Sequence, residues 1–144
     1  MIKKTFTYVD FLGTERTEDA VFHFSTEEVI SMEASKNGGL MEWMKKAIET
    51  DNTEELMPVF RDVVLKSYGE ISPDGRRFVK SPEMSKAFSE TPMFTQLIES
   101  FFREPNAAAE FFNGVGMSVE KVRTAPKVNE LLDKAKNNAT NSST

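Results

Sequence analysis

Apolar residues along this chain change period twice. From Lys3 to Val9 they alternate, with Phe6 and Tyr8 set against Thr5 and Thr7, and the alternation resumes from Arg16 to Phe24. Ala20, Phe22 and Phe24 then share one face, so the two runs predict strands. Asp10 to Thr14, containing Gly13, is the turn between them, and the unit reads as a β-hairpin. A lone hairpin is marginal in water and needs an apolar surface to lie on. The rest of the pattern supplies one at helical spacing. Ser25 with Glu28 three residues on forms a capping box and opens a helix to about Ala34. Lys36-Asn37-Gly38-Gly39 breaks it. Leu40 to Thr50 reads as a second helix, with Leu40, Trp43, Met44 and Ala47 on one stripe. Asn52 or Thr53 caps a third that reaches about Tyr68, with Leu56, Phe60, Val63 and Val64 inward.

The stretch from Tyr68 to Pro82 is the most heavily specified. Gly69 stands where a helix C-cap glycine belongs. Ser72-Pro73-Asp74-Gly75 has Pro second and Gly fourth, as a type I turn prefers. A short basic strand follows, and Ser81-Pro82 reads as an N-cap with proline at the first helical position. Pro82 to Phe88, Met93 to Arg103 and Ala107 to Phe112 are three further helical segments. Pro126 to Lys136 is an isolated one, with Val128, Leu131 and Leu132. The expected fold is therefore mainly α: a small helical bundle with an N-terminal β-hairpin and a flexible C-terminal tail. The expected division is a helical domain over 1–116 and a basic, partly disordered tail over 117–144.

Composition narrows the function. The 144 residues suit one domain. There is no cysteine, which excludes disulfides, thiol nucleophiles and cysteine-held metals. No apolar run approaches the roughly 20 residues of a membrane-spanning helix, and Met1 to Phe6 does not read as a signal peptide. Net charge is −5, unevenly spread. Residues 1–120 hold 13 Lys and Arg against 21 Asp and Glu, net −8, whereas residues 121–144 hold 5 against 2, net +3. An acidic body weighs against nucleic-acid binding, which relies on positive surface.

Nothing catalytic stands out. The single histidine, His23, falls on the strand face opposite Phe22 and Phe24, which predicts a surface position. Glu27-Glu28 and Glu54-Glu55 sit in first helical turns, where they complement the helix dipole. No catalytic site, cofactor site or metal site is expected. Asp74, Gly75, Arg76, Arg77 and Lys80 form the one candidate charged loop, either as an anion site or as ion-pair partners of the acidic body. The second signal is aromatic. Phe102 and Phe112 sit beside residues already assigned to the core, and Trp43 and Met44 pose the same crowding. Either all four pack internally, or they face a partner.

Several of these blocks occur together: the hairpin and capped helix before Asn37-Gly38-Gly39-Leu40, Phe60 to Lys66, Ser67-Tyr68-Gly69-Glu70, Ser72-Pro73-Asp74-Gly75-Arg76-Arg77-Phe78, and Ala107 to Gly114. Over about residues 1–116 the chain resembles the tail assembly chaperones of long-tailed bacteriophages (siphoviruses), especially those of Gram-positive hosts. The resemblance implies a non-enzymatic factor without cofactors, working in the bacterial host cytoplasm. It further implies binding to the tape-measure protein and the tail-tube protein, with a longer frameshifted form of the same chain as a possible partner. No membrane is implied. Two other readings stay open: a structural virion protein of the tail or head–tail connector, and a small nucleic-acid-binding regulator using Arg76, Arg77 and Lys80.

Overall fold

The computed structural model describes residues 1–34, 49, 53–104 and 106–117. Strands β1 (Ile2–Val9) and β2 (Glu15–Phe22) form the expected antiparallel hairpin, in register from Ile2↔Phe22 to Val9↔Glu15. Helices follow at α1 (Thr26–Ala34), α2 (Thr53–Ser67), α3 (Pro82–Ser89), α4 (Pro92–Arg103) and α5 (Ala107–Gly114). The helix expected over Leu40 to Thr50, Glu49 apart, and the segment Pro126 to Lys136 lie outside the described residues.

The capping reading holds in detail. The Glu28 N–H donates to Ser25 Oγ at 3.1 Å, and the Ser25 N–H donates to Glu28 Oε1 at 3.0 Å. Ser81 Oγ likewise accepts from the Met84 N–H at 3.1 Å, with Pro82 at the first turn.

The sheet is larger than expected. Tyr68 leaves helix α2 and starts β3 (Tyr68–Ile71), which pairs with β2 through Val21↔Gly69 and Phe22↔Tyr68. The His23 N–H extends this ladder by donating to the Ser67 carbonyl at 2.8 Å. A second hairpin then adds β4 (Phe78–Val79), giving four antiparallel strands in the order β1-β2-β3-β4. Helices still contribute more of the described residues than strands do. The architecture, though, is a helical layer on one face of a sheet, not a bundle carrying a hairpin.

Gly69 is accordingly not a helix C-cap. It lies inside β3, where a Cβ would come within 2.5 Å of Phe78 Cε1 and of the Val79 carbonyl oxygen. Only glycine lets β4 approach so closely.

The core lies between the layers. Phe6, Ala20 and Phe22 from the sheet meet Phe60, Val64, Phe88, Phe94, Leu97, Phe101 and Phe111 from the helices. Phe22 is fully buried and meets Phe88 and Phe111 edge-on, with centroids 5.6 and 5.2 Å away. Phe60 contacts Phe101 at 5.1 Å. The core runs on through Val115 and Met117, and the Met117 N–H donates to the Phe112 carbonyl. The opposite sheet face is solvated by Thr5 with Asp19 (2.6 Å) and Thr7 with Thr17 (3.1 Å).

Truncating Phe60 to alanine is expected to cost about 3–5 kcal/mol in denaturant unfolding, as for other buried aromatics. A loss under about 1 kcal/mol would contradict its central place. Gly69→Ala is expected to cost about 1–3 kcal/mol by overpacking β3 against β4, whereas a helix-cap role would leave it much milder.

Candidate partner-binding surface

The charged loop is built from the sequence outward. The Gly75 N–H donates to the Ser72 carbonyl at 2.8 Å, closing the turn, and Gly75 has φ +75°, which an L side chain resists. Ser72 Oγ–H donates to Asp74 Oδ1 at 2.6 Å and accepts from the Arg77 N–H at 3.0 Å. The Ser72 hydroxyl, with the Arg76 amide, holds the Asp74 carboxyl below its usual range.

The basic residues of this loop do not act as one patch. Arg76 and Arg77 are exposed. Lys80 is folded into the body: its Nζ lies 2.8 Å from Glu28 Oε2 and 4.6 Å from the Phe24 ring centroid. The candidate anion site thus loses its third cation to an ion pair with α1, which is the ion-pair alternative read from the sequence.

His23 is less exposed than the strand alternation predicts. It is half-buried, its ring stands edge-on to Phe78 at 5.4 Å, and its buried Nδ1 has no hydrogen-bond partner among the described residues. Burial, then the N-terminal ammonium and Lys80, push its pKa down, while Glu28 pulls the other way. Burial alone would raise the Glu28 carboxyl, but the Lys80 hydrogen bond and the Ser25 amide outweigh it, and the net direction is downward.

Of the four apolar candidates, Trp43 and Met44 lie outside the described residues. Phe102 is 40 % exposed on α4, with its ring 5.3 Å from Phe60. Phe112 is only 6 % exposed and packs among Phe60, Phe101 and Phe111. It belongs to the core, because α5 turns both Phe111 and Phe112 inward against two different neighbours. It is not available to a partner.

Among the described residues the two most exposed large apolar side chains are ones that the sequence pattern does not single out. They sit at the β1–β2 tip: Phe11 is 84 % exposed, Leu12 93 % and the adjacent Val9 60 %. The loop beneath them is tightly bonded. Asp10 Oδ1 accepts the Leu12 and Thr14 amides, both at 2.9 Å, and Asp10 Oδ2 accepts Arg16 Nε at 2.6 Å. The Asp10 N–H donates to the Thr14 carbonyl at 2.8 Å. These contacts, Arg16 first, hold the Asp10 carboxyl below its usual range. The signal was present in the sequence as two large apolar residues inside a turn, where no core can reach them.

Among the described residues no helix is long and apolar enough to cross a membrane, and no three His, Asp or Glu side chains gather as a metal-binding group. A family model described as phage tail assembly chaperone matches residues 1–143. No curated protein and no solved structure matches the chain.

Two tests follow from the geometry. Gly75→Val is expected to lower stability by about 1–2 kcal/mol through its left-handed conformation, while leaving the exposed arginines in place. The pH dependence has two parts. His23 has a depressed folded pKa, so its contribution is complete above about pH 6.5 and is lost as pH falls from there. Asp10, Glu28 and Asp74 are also depressed, so theirs is present above the ordinary carboxylate range, about pH 4, and is lost below it. Thermal melting from pH 8 downward is expected to show both declines, with the upper one absent in His23→Gln. An unchanged upper decline in that variant would contradict the burial of His23.

Proposed function

Because the chain belongs to the phage tail assembly chaperone family, we propose that it is a non-enzymatic factor that binds the tape-measure protein, with the tail-tube protein as a second client, before the tube polymerises. The observation that carries this reading is the family match along residues 1–143. The physical demand is clear. A long tape-measure helix exposes apolar stripes that aggregate in water, and a soluble cover must meet them with apolar surface of its own. Phe102 offers such surface, and Trp43 and Met44 remain candidates beside it. The net charge of −5 keeps the cover soluble. The site of action in this reading is the cytoplasm of the infected bacterium, and no cofactor takes part.

The test is co-expression with the tape-measure protein. The parent chain is expected to keep it soluble, and binding is expected to survive raised salt, since apolar burial is not screened. Phe102→Ala, with melting checked separately, is expected to weaken binding by about 2 kcal/mol if the ring is an interface anchor. A folded Phe102→Ala chain that binds as the parent does would remove this residue from the surface. A chain that binds no tail protein but is abundant in purified virions would instead be a structural protein of the particle.

A further inference from the structure

We propose that the β1–β2 tip is a docking knob, with Phe11 and Leu12 inserting into the apolar stripe of a tail-protein helix flanked by Lys or Arg. The inference rests on the chaperone reading and adds the surface and the chemistry of what it meets.

Phe11 and Leu12 contribute nothing to the described core, since both stand almost wholly in water. The strands behind them are polar on the solvent face, so the apolar spot is confined to the tip. The Asp10 carboxylate fixes the turn with two amides and Arg16, so inserting the two side chains requires little further ordering of the loop. A convex pair of side chains fits the hole between residues of a helix surface.

Charge decides the flank. Arg16 is neutralised by Asp10, and Lys3 lies nearest Asp19. Glu18 accepts the Tyr8 hydroxyl. Glu15, directly across from Val9, has no partner among the described residues. The uncompensated charge beside the knob is negative, so a cationic flank is favoured.

Two other occupants fit less well. Two tips meeting would bring like-charged Glu15 side chains together. The chain's own basic segment offers Val128, Leu131 and Leu132 with Lys127, Lys134 and Lys136. However, the described core ends at Met117, beside residues bonded to Phe24 at the far end of β2. From Phe24 to Glu15 is nine residues, about 30 Å of strand. Residues 118–127 reach about 33–36 Å only when fully extended.

The test uses the full chain and two synthetic 21-residue helices with the same leucine stripe, one flanked by lysines and one by glutamates. Amide chemical shifts are expected to move at Phe11 to Thr14 with the lysine-flanked helix, which binds about 2- to 5-fold tighter than the other at low salt, a preference that shrinks in high salt while the apolar contact holds. Leu12→Asp is expected to lose about 10-fold or more in affinity with unchanged melting. Glu15→Lys is expected to reverse the flank preference. Shifts confined to residues away from the tip, or full affinity in Leu12→Asp, would overturn the proposal. So would a parent dimer that Leu12→Asp dissociates, which identifies a second copy as the occupant. A spin label on Leu131→Cys that broadens the Phe11 amide at all concentrations would identify the chain's own tail. In co-expression, a Leu12→Asp chain that keeps tape-measure protein soluble as well as the parent overturns the knob and leaves the chaperone reading standing. A parent chain that leaves it insoluble contradicts both.

Discussion

Phe22 ties the sheet to the helical layer, and the placement of every other element follows from it. Its ring meets Tyr68, Phe88 and Phe111 edge-on, so one side chain of β2 touches β3, α3 and α5 at once. Tyr68 stacks in turn on Phe88 at 4.2 Å. Edge-on and offset rings contribute beyond the area they bury. Register matters here as well. A one-residue slip of β2 would turn Ala20, Phe22 and Phe24 to solvent. Pairing of Phe22 with Tyr68 across β2 and β3 fixes that register from a second direction.

The same constraint decides which apolar residues are left outside. The inner sheet face ends at Tyr8, which is half-buried and bonded to Glu18. Beyond it Phe11 and Leu12 stand exposed, with no described element beneath them. α4 lies against β1, where the Gln96 side chain donates to the Thr7 carbonyl at 3.1 Å. The helix that carries Phe102 and the strand that carries the tip are thus neighbours. An acidic scaffold with a few large apolar side chains held outside its described core is what the proposed client-binding role requires.

Local signals were legible in the sequence and non-local ones were not. The capping box at Ser25, the N-cap at Ser81, the turn at Ser72–Gly75 and the hairpin were each specified within a few residues, and each forms as expected. Pairing of β2 with β3 joins residues nearly fifty positions apart, and nothing near Tyr68 announces it. A glycine after a helical run predicts a helix end, whereas Gly69 is a point of close strand approach. For Lys80 the sequence offers an ion pair with the acidic body as one of two readings, but it does not name the partner, because Glu28 is 52 positions away. Phe112 looked surplus because helical spacing shows which residues share a face, not how many neighbours that face will meet. Phe11 and Leu12 lie between two strands, where hydrophobic periodicity assigns a residue to no face.

If the apolar surface held outside the core is covered by a client, as proposed, binding has a definite thermodynamic signature. Burial of apolar area gives a negative heat-capacity change on binding. Calorimetric titration of the full chain into purified tape-measure protein, repeated at several temperatures, measures it directly. The expected result is a clearly negative heat-capacity change with affinity that holds as salt is raised. A heat-capacity change near zero, with affinity that collapses in salt, would mean that charge and not apolar surface holds the complex together.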